Sequence, residues 1–333
     1  MDEIELPDRL RDGARGAWPR YLDVVAPFRP DLHRYCRKLT GNLWDAEDLV
    51  QDALLRGFAA MGMAHQPVRN ARGYLIRIAT NLWLDAQRRR ATERGVLAEH
   101  VEPPARPASP ALGPAAREAA EVLLHRLPPQ ERAAVVLKDV LDMSLEEIAQ
   151  VLQTTVGAIK AALHRGRSAL RAPETERTAA RPRPSRALVE KFVARINASD
   201  LPGMLELMLD SASIETLGNL VEVGREQFSR KGSWLWQSVH VHPDLPPEIR
   251  PKKWTNELAL YDGEPVMLSF SDETGARLLQ SITRFEEVEG QVARIRAYYL
   301  CPETMREVSE SLGLPLGVVP YRIPDFFLRG DKP

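Results

Sequence analysis

SLEEIAQVLQTTVGAIKAALHRGRSALR, residues 144–171, is the stretch on which the reading of this chain turns. Ser144 stands where a helix N-cap belongs. Glu147, three residues on, completes a capping-box pattern, and the cap alone contributes about 1 kcal/mol. Gln153 and Thr154 make a short turn, and Thr155 can cap the helix that follows. Ile148, Val151, Leu152, Ile159 and Leu163 can share a core. The pattern is helix-turn-helix, whose second helix fits the major groove of duplex DNA. That second helix carries Lys160, His164, Arg165 and Arg167, with Arg171 just beyond and no acid among them. The nearest carboxylates along the chain are Glu147 and Glu174. A plain helical bundle with a solvated basic face is the competing reading.

The bulk numbers leave room for a local basic patch and little else. The chain has 333 residues and a net charge of −1, so any nucleic-acid binding must come from patches rather than overall charge. Hydrophobic content of 44% and charged content of 27% fit a globular protein of two or three domains. Two cysteines, Cys36 and Cys301, lie far apart and show no pairing or metal spacing, so both read as reduced thiols. The start, MDEIELPDRLRDG, is acidic and unlike a signal peptide. No apolar run approaches the roughly 18 residues of a membrane span. These features point to a cytoplasmic protein without a membrane association.

Two proline-rich stretches divide the chain, EPPARPASPALGP near 102–114 and RAPETERTAARPRPS near 171–185. Proline removes a backbone donor and restricts its neighbour, so both read as semi-rigid spacers. The resulting expectation is a helical domain at 18–95, a linker at 96–114, a second helical domain at 115–171, a Pro-rich linker at 172–185, an α+β domain at 186–300 and a tail at 301–333.

The first block holds two informative helices. DAEDLVQDALLRGF sets Glu47, Asp48 and Asp52 mostly apart from Leu49, Ala53 and Leu54, and its acidic face suits a protein partner rather than DNA. NARGYLIRIATNLWLDAQRRR interleaves Tyr74, Leu75, Ile78, Leu82 and Trp83 with Arg72, Arg77, Arg88, Arg89 and Arg90. Aromatics among arginines suit single-stranded or melted nucleic acid, because bases stack on rings while Arg holds phosphates. The alternative is ordinary core aromatics with a wet basic surface. The third block opens with helices, SRALVEKFVARINASD and LPGMLELML. An antiparallel meander follows, with turns at Asp262-Gly263 and Glu289-Gly290. Its fold class is α+β.

Taken in order, DAEDLVQDALLRGF, ARGYLIRIATNLWLDAQRRR and LPPQERAAVVLKDVLDMSLEEIAQVLQTTVGAIKAALHRGRSALR resemble an extracytoplasmic-function RNA polymerase sigma factor over about residues 18–171. The resemblance implies two all-α sigma domains, a helical bundle and a helix-turn-helix. Core RNA polymerase, through the clamp helices of β′ and the β flap, and promoter DNA would be the partners. It assigns Asp45, Glu47, Asp48, Leu49, Gln51 and Asp52 to core polymerase. It assigns Arg72, Tyr74, Arg77, Asn81, Trp83, Asp85, Arg88 and Arg89 to opening and capturing the −10 element, with bases flipped from the stack. The loop 61–71 would carry much of that specificity. Thr155, Lys160, His164, Arg165 and Arg167 would meet the −35 element. The family often has polar or basic side chains where this sequence has Ala158, Ala161 and Ala162. Alanines forgo bidentate base contacts, each of about 1–3 kcal/mol, which leaves more of the readout to DNA shape.

The third block resembles the SnoaL-like (NTF2-like) cone fused to some of these sigma factors. Such a domain would regulate activity in cis, and a small-molecule ligand could occupy its pocket. His240, His242 and Asp244 offer a weak metal pattern, and Trp234, Trp236 and Trp254 could line an apolar pocket or belong to the core. No acid–base or nucleophilic set emerges, so no enzyme activity, metal or cofactor is expected. The apolar tail, with Leu314, Leu316, Val318, Val319, Tyr321, Phe326 and Phe327, is expected to pack on a neighbouring block. Two rivals remain at this stage: a ligand-sensing helix-turn-helix regulator, and a SnoaL-like enzyme targeted to DNA.

Overall fold

A computed structural model describes residues 8–62, 70–93, 127–170, 183–239, 254–273 and 275–322. The chain forms two compact units, residues 1–177 and 178–333. No helix among the described residues is long and apolar enough to cross a membrane.

The first unit is helical. It comprises α1 (Asp8–Val25), α2 (Arg29–Thr40), α3 (Leu43–Gly62), α4 (Ala71–Glu93), α5 (Pro129–Asp139), α6 (Leu145–Val151) and α7 (Val156–Ala169). The stops and starts are local chemistry. Gly41 ends α2 at φ 79°, the left-handed conformation that costs glycine no Cβ clash. Asn42 then caps α3, its side-chain oxygen accepting from the Asp45 backbone N–H at 2.8 Å. Ser144 and Glu147 form the full capping box at α6. Leu32, Tyr35, Cys36 and Leu39 of α2 pack wholly buried with Leu54 of α3 and Leu75, Ile76 and Ala79 of α4. Tyr35 carries a polar tip into this core, and its hydroxyl pairs with Thr80 at 2.7 Å.

The second unit places helices against a six-stranded sheet. Its elements are α8 (Arg186–Asn197), α9 (Leu201–Glu206), β1 (Met208–Thr216), β2 (Leu220–Val223), α10 (Arg225–Ser229), α11 (Trp234–Val239), β3 (Thr255–Tyr261), β4 (Glu264–Glu273), β5 (Ala276–Val288), β6 (Gln291–Ala297) and α12 (Pro302–Leu312). The strand order is β2-β1-β6-β5-β4-β3. Both expected hairpin turns are present. Asp262 and Gly263 take φ 48° and 70°, and Glu289 and Gly290 take φ 51° and 80°, the doubly positive geometry that matches strand twist. Phe192 of α8 meets Phe285 of β5 edge-on at 5.0 Å between centroids, inside a cluster with Met204, Ile214, Met267 and Ile295.

Two expectations are corrected here. LPGMLELML is not one helix, because α9 ends at Glu206 and Met208 opens β1. From Ala212 to Thr216 burial alternates residue by residue, and pairing with β6 outweighs helix propensity there. The sheet is also mixed rather than wholly antiparallel, since β1 runs parallel to β6. The described part of the tail belongs to this unit, although Val318, expected to pack, is 91% exposed. Met305 and Val308 of α12 are wholly buried, and Leu279 pairs its backbone with Pro315 and Gly317 at 2.8 and 2.9 Å. Phe326 and Phe327 lie outside the described residues.

Two carboxylates sit deep in this unit. Glu264 pairs with Arg284 through two hydrogen bonds of 2.8 and 3.0 Å. Glu222 of β2 instead accepts one backbone N–H, that of Trp234, at 3.1 Å to each oxygen. Burial pushes the Glu222 carboxyl above the ordinary glutamate range, against the opposing pull of that hydrogen bond. A raised carboxyl stabilises the fold at low pH and loses that contribution as pH rises through its folded value. Glu222→Gln keeps an acceptor for Trp234 and removes the charge. It is expected to raise the melting temperature at pH 7, with the gain disappearing as pH falls toward 4, in paired thermal scans.

Candidate nucleic-acid interface

On α7 the buried positions are Ile159, Ala162, Leu163 and Gly166. They leave Ala158, Lys160, Ala161, His164, Arg165, Arg167 and Ser168 exposed. Ala162 is therefore core, not part of a reading face, whereas Ala158 and Ala161 do face outward. Thr155 is exposed and uses its hydroxyl as the cap, accepting from the Ala158 N–H at 3.2 Å. Gly166 is where α7 crosses α5. A Cβ there would stand 2.9 Å from Val135 Cγ2, so the two helix backbones approach closely because residue 166 has no side chain.

Space supplies the acids that the local sequence lacks. Arg165 donates from Nε to Glu131 at 2.7 Å, and Arg167 is paired with Asp139, both carboxylates lying on α5. The hydrogen bond it donates to Asp139 holds the Arg167 guanidinium above its ordinary pKa. Lys160, His164 and Arg167 line a hollow of about 530 Å³ together with Lys138 of α5. Lys138, Glu131 and Asp139 were not singled out from sequence. All three lie on α5, and only the crossing at Gly166 brings that helix under α7.

Along α4 the eight expected residues separate into surface and interior. Asn70 caps the helix, accepting from the Gly73 N–H at 2.9 Å. Tyr74 is half-exposed, with the Arg77 guanidinium 5.4 Å from its ring centroid, within cation–π range. Arg72 is half-buried and donates to Asp31 of α2 at 2.6 Å. Asn81 is half-exposed, and Asp85, Arg88 and Arg89 are exposed, Arg88 pairing with Asp85 at 2.8 Å. Trp83 is only 4% exposed and is corrected from a stacking surface to a core aromatic. Part of the loop expected to carry −10 specificity, residues 63–69, lies outside the described residues, as do His240, His242 and Asp244.

The acidic helix α3 also sorts by burial. Asp52 is exposed and Asp45 and Asp48 are half-buried, whereas Glu47, Leu49 and Gln51 are buried. Glu47 has no exposed surface. Its carboxylate accepts from Arg29 Nη2 at 2.6 Å and from Gln51 Nε2 at 2.7 Å, with His33 Nε2 3.8 Å away. Direct docking through Glu47, Leu49 and Gln51 is corrected: in this form all three are buried, Glu47 ties α3 to Arg29 of α2, Gln51 braces Glu47 from within α3, and the aspartates remain toward the surface. Removing one partner of a buried ion pair strands the other charge. Glu47→Ala is therefore expected to cost about 3–5 kcal/mol in denaturant unfolding of the full chain.

Residues 24–93 match the family model of sigma-70 region 2, and residues 117–170 match sigma-70 region 4. The chain is 36% identical over 164 residues to the ECF RNA polymerase sigma factor SigE of Mycolicibacterium smegmatis, covering 48% of this chain and 63% of that one. It thus spans less than two thirds of SigE. It is 31% identical over 173 residues to the ECF RNA polymerase sigma factor EcfG of Rhodopseudomonas palustris, covering 51% of this chain and 87% of that one. A solved NTF2-like protein of Cytophaga hutchinsonii aligns with 36% of this chain and 93% of its own, at 9% identity and a TM-score of 0.24. With EcfG matched over most of its length, and with the two sigma-70 regions falling on α2–α4 and on the helix-turn-helix, the chain belongs to the extracytoplasmic-function RNA polymerase sigma factors.

Proposed function

We propose that this chain is a promoter-specificity subunit that joins core RNA polymerase, recognises −35 and −10 elements and starts transcription, acting by binding rather than by catalysis. The observation that carries the reading is the order of surfaces on one compact unit. A helix with outward aspartates, α3, precedes an arginine and aromatic helix, α4. A capped helix-turn-helix with an exposed cationic second helix follows. Asp45, Asp48 and Asp52 would meet the polymerase clamp helices, while Glu47, Leu49 and Gln51 hold their helix in place. Tyr74, Arg77, Asn81, Arg88 and Arg89 would take the melted −10 strand. Arg72 would position α4 through Asp31.

The −35 contact would rest on charge and shape. Ala158 and Ala161 give α7 a smooth outward face that allows close approach or contact with a thymine methyl. Lys160, His164 and Arg165 flank that face. Arg165 and Arg167 would exchange Glu131 and Asp139 for phosphates, which lowers the net gain from each contact. Lys160→Ala is expected to weaken binding of the polymerase-bound factor to duplex promoter. It should also reduce the slope of log K against log salt by about 0.9, the mark of one lost phosphate contact.

The second unit would regulate the first in cis, its chain connection keeping the effective concentration high. Transcription by purified core polymerase on a promoter library tests both parts. Full-length protein and a form ending near residue 178 are expected to start transcripts at the same sites with different yields. Equal yields would remove the regulatory role. If neither form starts specific transcripts, the sigma reading fails and a duplex-binding regulator replaces it.

A further inference from the structure

Helix α7 carries three permanently charged cations, Lys160, Arg165 and Arg167, and two of them are already engaged. Arg165 donates to Glu131 at 2.7 Å, and Arg167 pairs with Asp139. Lys160 has no carboxylate partner among the described residues, and neither has His164. The crossing with α5 explains the difference. Val135 lies under Gly166, and Glu131 and Asp139 stand four residues to either side of Val135, about one helical turn each. Arg165 and Arg167 flank Gly166, and successive residues of a helix point about 100° apart, so the two arginines leave α7 on opposite flanks. Each thus finds one carboxylate, the two acids lying roughly 12 Å apart along α5.

The pairs change what a duplex gains from each cation. Lys160 releases counterions from any phosphate it approaches, whatever the base sequence. Arg165 and Arg167 must first give up a carboxylate, so a phosphate that merely passes near offers them little. Their side chains are still 61% and 47% exposed, and exposed ion pairs are weak, so a phosphate held close can displace the acid. Closeness depends on fit. A groove that accepts Ala158 and Ala161 lets α7 seat deeply enough for both arginines to trade carboxylate for phosphate. A groove that does not fit leaves them on α5. Two contacts that carry no sequence information of their own become conditional on the shape of the site.

We propose that Glu131 and Asp139 are specificity-determining residues for the −35 element: they withhold Arg165 and Arg167 from non-matching duplex and release them on a matching one. The inference rests on the −35 role of α7. Neither acid touches DNA in this scheme, and both act through the arginine each holds. A plain brace between α5 and α7 is the competing use of the same pairs. It predicts a less stable fold without the acids and the same preference between DNA sequences.

The test uses full-length protein reconstituted with core RNA polymerase, on two promoter duplexes that differ only in the −35 element, one intact and one scrambled. Glu131→Gln and Asp139→Asn keep shape and an acceptor and remove the charge. Asp139 is exposed, so Asp139→Asn serves alone if Glu131→Gln disturbs folding. On the scrambled duplex each variant is expected to steepen the slope of log K against log salt by about 0.9, and the double variant by about 1.8. On the intact duplex the slope is expected to hold, so the ratio of the two affinities falls several-fold. Arg165→Gln added to Glu131→Gln is expected to cancel the gain of Glu131→Gln on scrambled duplex. Glu146→Gln on α6 removes an exposed carboxylate outside both pairs and is expected to leave the ratio unchanged, which controls for net charge. An unchanged slope on scrambled duplex, or an equal change on both duplexes, would overturn the proposal. If the parent chain still prefers the intact element in that case, the −35 role of α7 stands and only the role of the two acids falls. If the parent does not distinguish the two duplexes, both fall together.

Discussion

Glu47 carries a carboxylate with no exposed surface, and the first unit is arranged around that cost. An unpaired buried carboxylate is expensive, so Arg29 and Gln51 must stay within 2.7 Å of it. Arg29 opens α2 and Glu47 lies in the first half of α3, so the pair fixes how the two helices cross. That crossing decides the rest. It aims Asp45, Asp48 and Asp52 away from the core, buries Tyr35 where Thr80 of α4 can meet it, and sets Asp31 where Arg72 can reach. The acidic and the arginine-bearing surfaces are two faces of one scaffold tied at a single buried charge.

Local chemistry was readable in the sequence, and packing was not. Caps and turns depend on a few neighbouring residues, so Ser144 with Glu147, Thr155, Gly41 and the two Xaa-Gly hairpins announce themselves. Trp83 and Glu47 do not. Their residue types fit a functional surface, and only the third dimension places Trp83 beneath Arg132 and Glu47 beside Arg29. The acid-free stretch at α7 fails for the same reason in reverse. Its partners, Glu131 and Asp139, are about thirty residues away in sequence and one helix diameter away in space. In the second unit, β1 was missed because Met208 follows a helix without a break, and its partner β6 lies some eighty residues on.

The second unit shows how a polar inventory is kept inside a sheet protein. Asn197 and Asn256 exchange hydrogen bonds between α8 and β3, Ser269 donates into the same group at 2.7 Å, and Arg284 neutralises Glu264. Each buried donor in this group has its acceptor, so the network fixes register and geometry more than it adds net stability. Glu222 stands apart as a buried carboxylate held by a backbone N–H alone, at an edge strand whose Val221 and Val223 face solvent.

Gly166 has a mechanical consequence. It sits near the far end of α7, a helix of 14 residues and about 21 Å, at the point where that helix rests on Val135. A side chain at this point would lift the end of α7 off Val135 and tilt the helix about Ile159 and Leu163, which are buried nearer its start. Substitutions at a position that touches no nucleic acid would thus act as a coarse pitch adjustment for the face carrying Ala158 and Ala161.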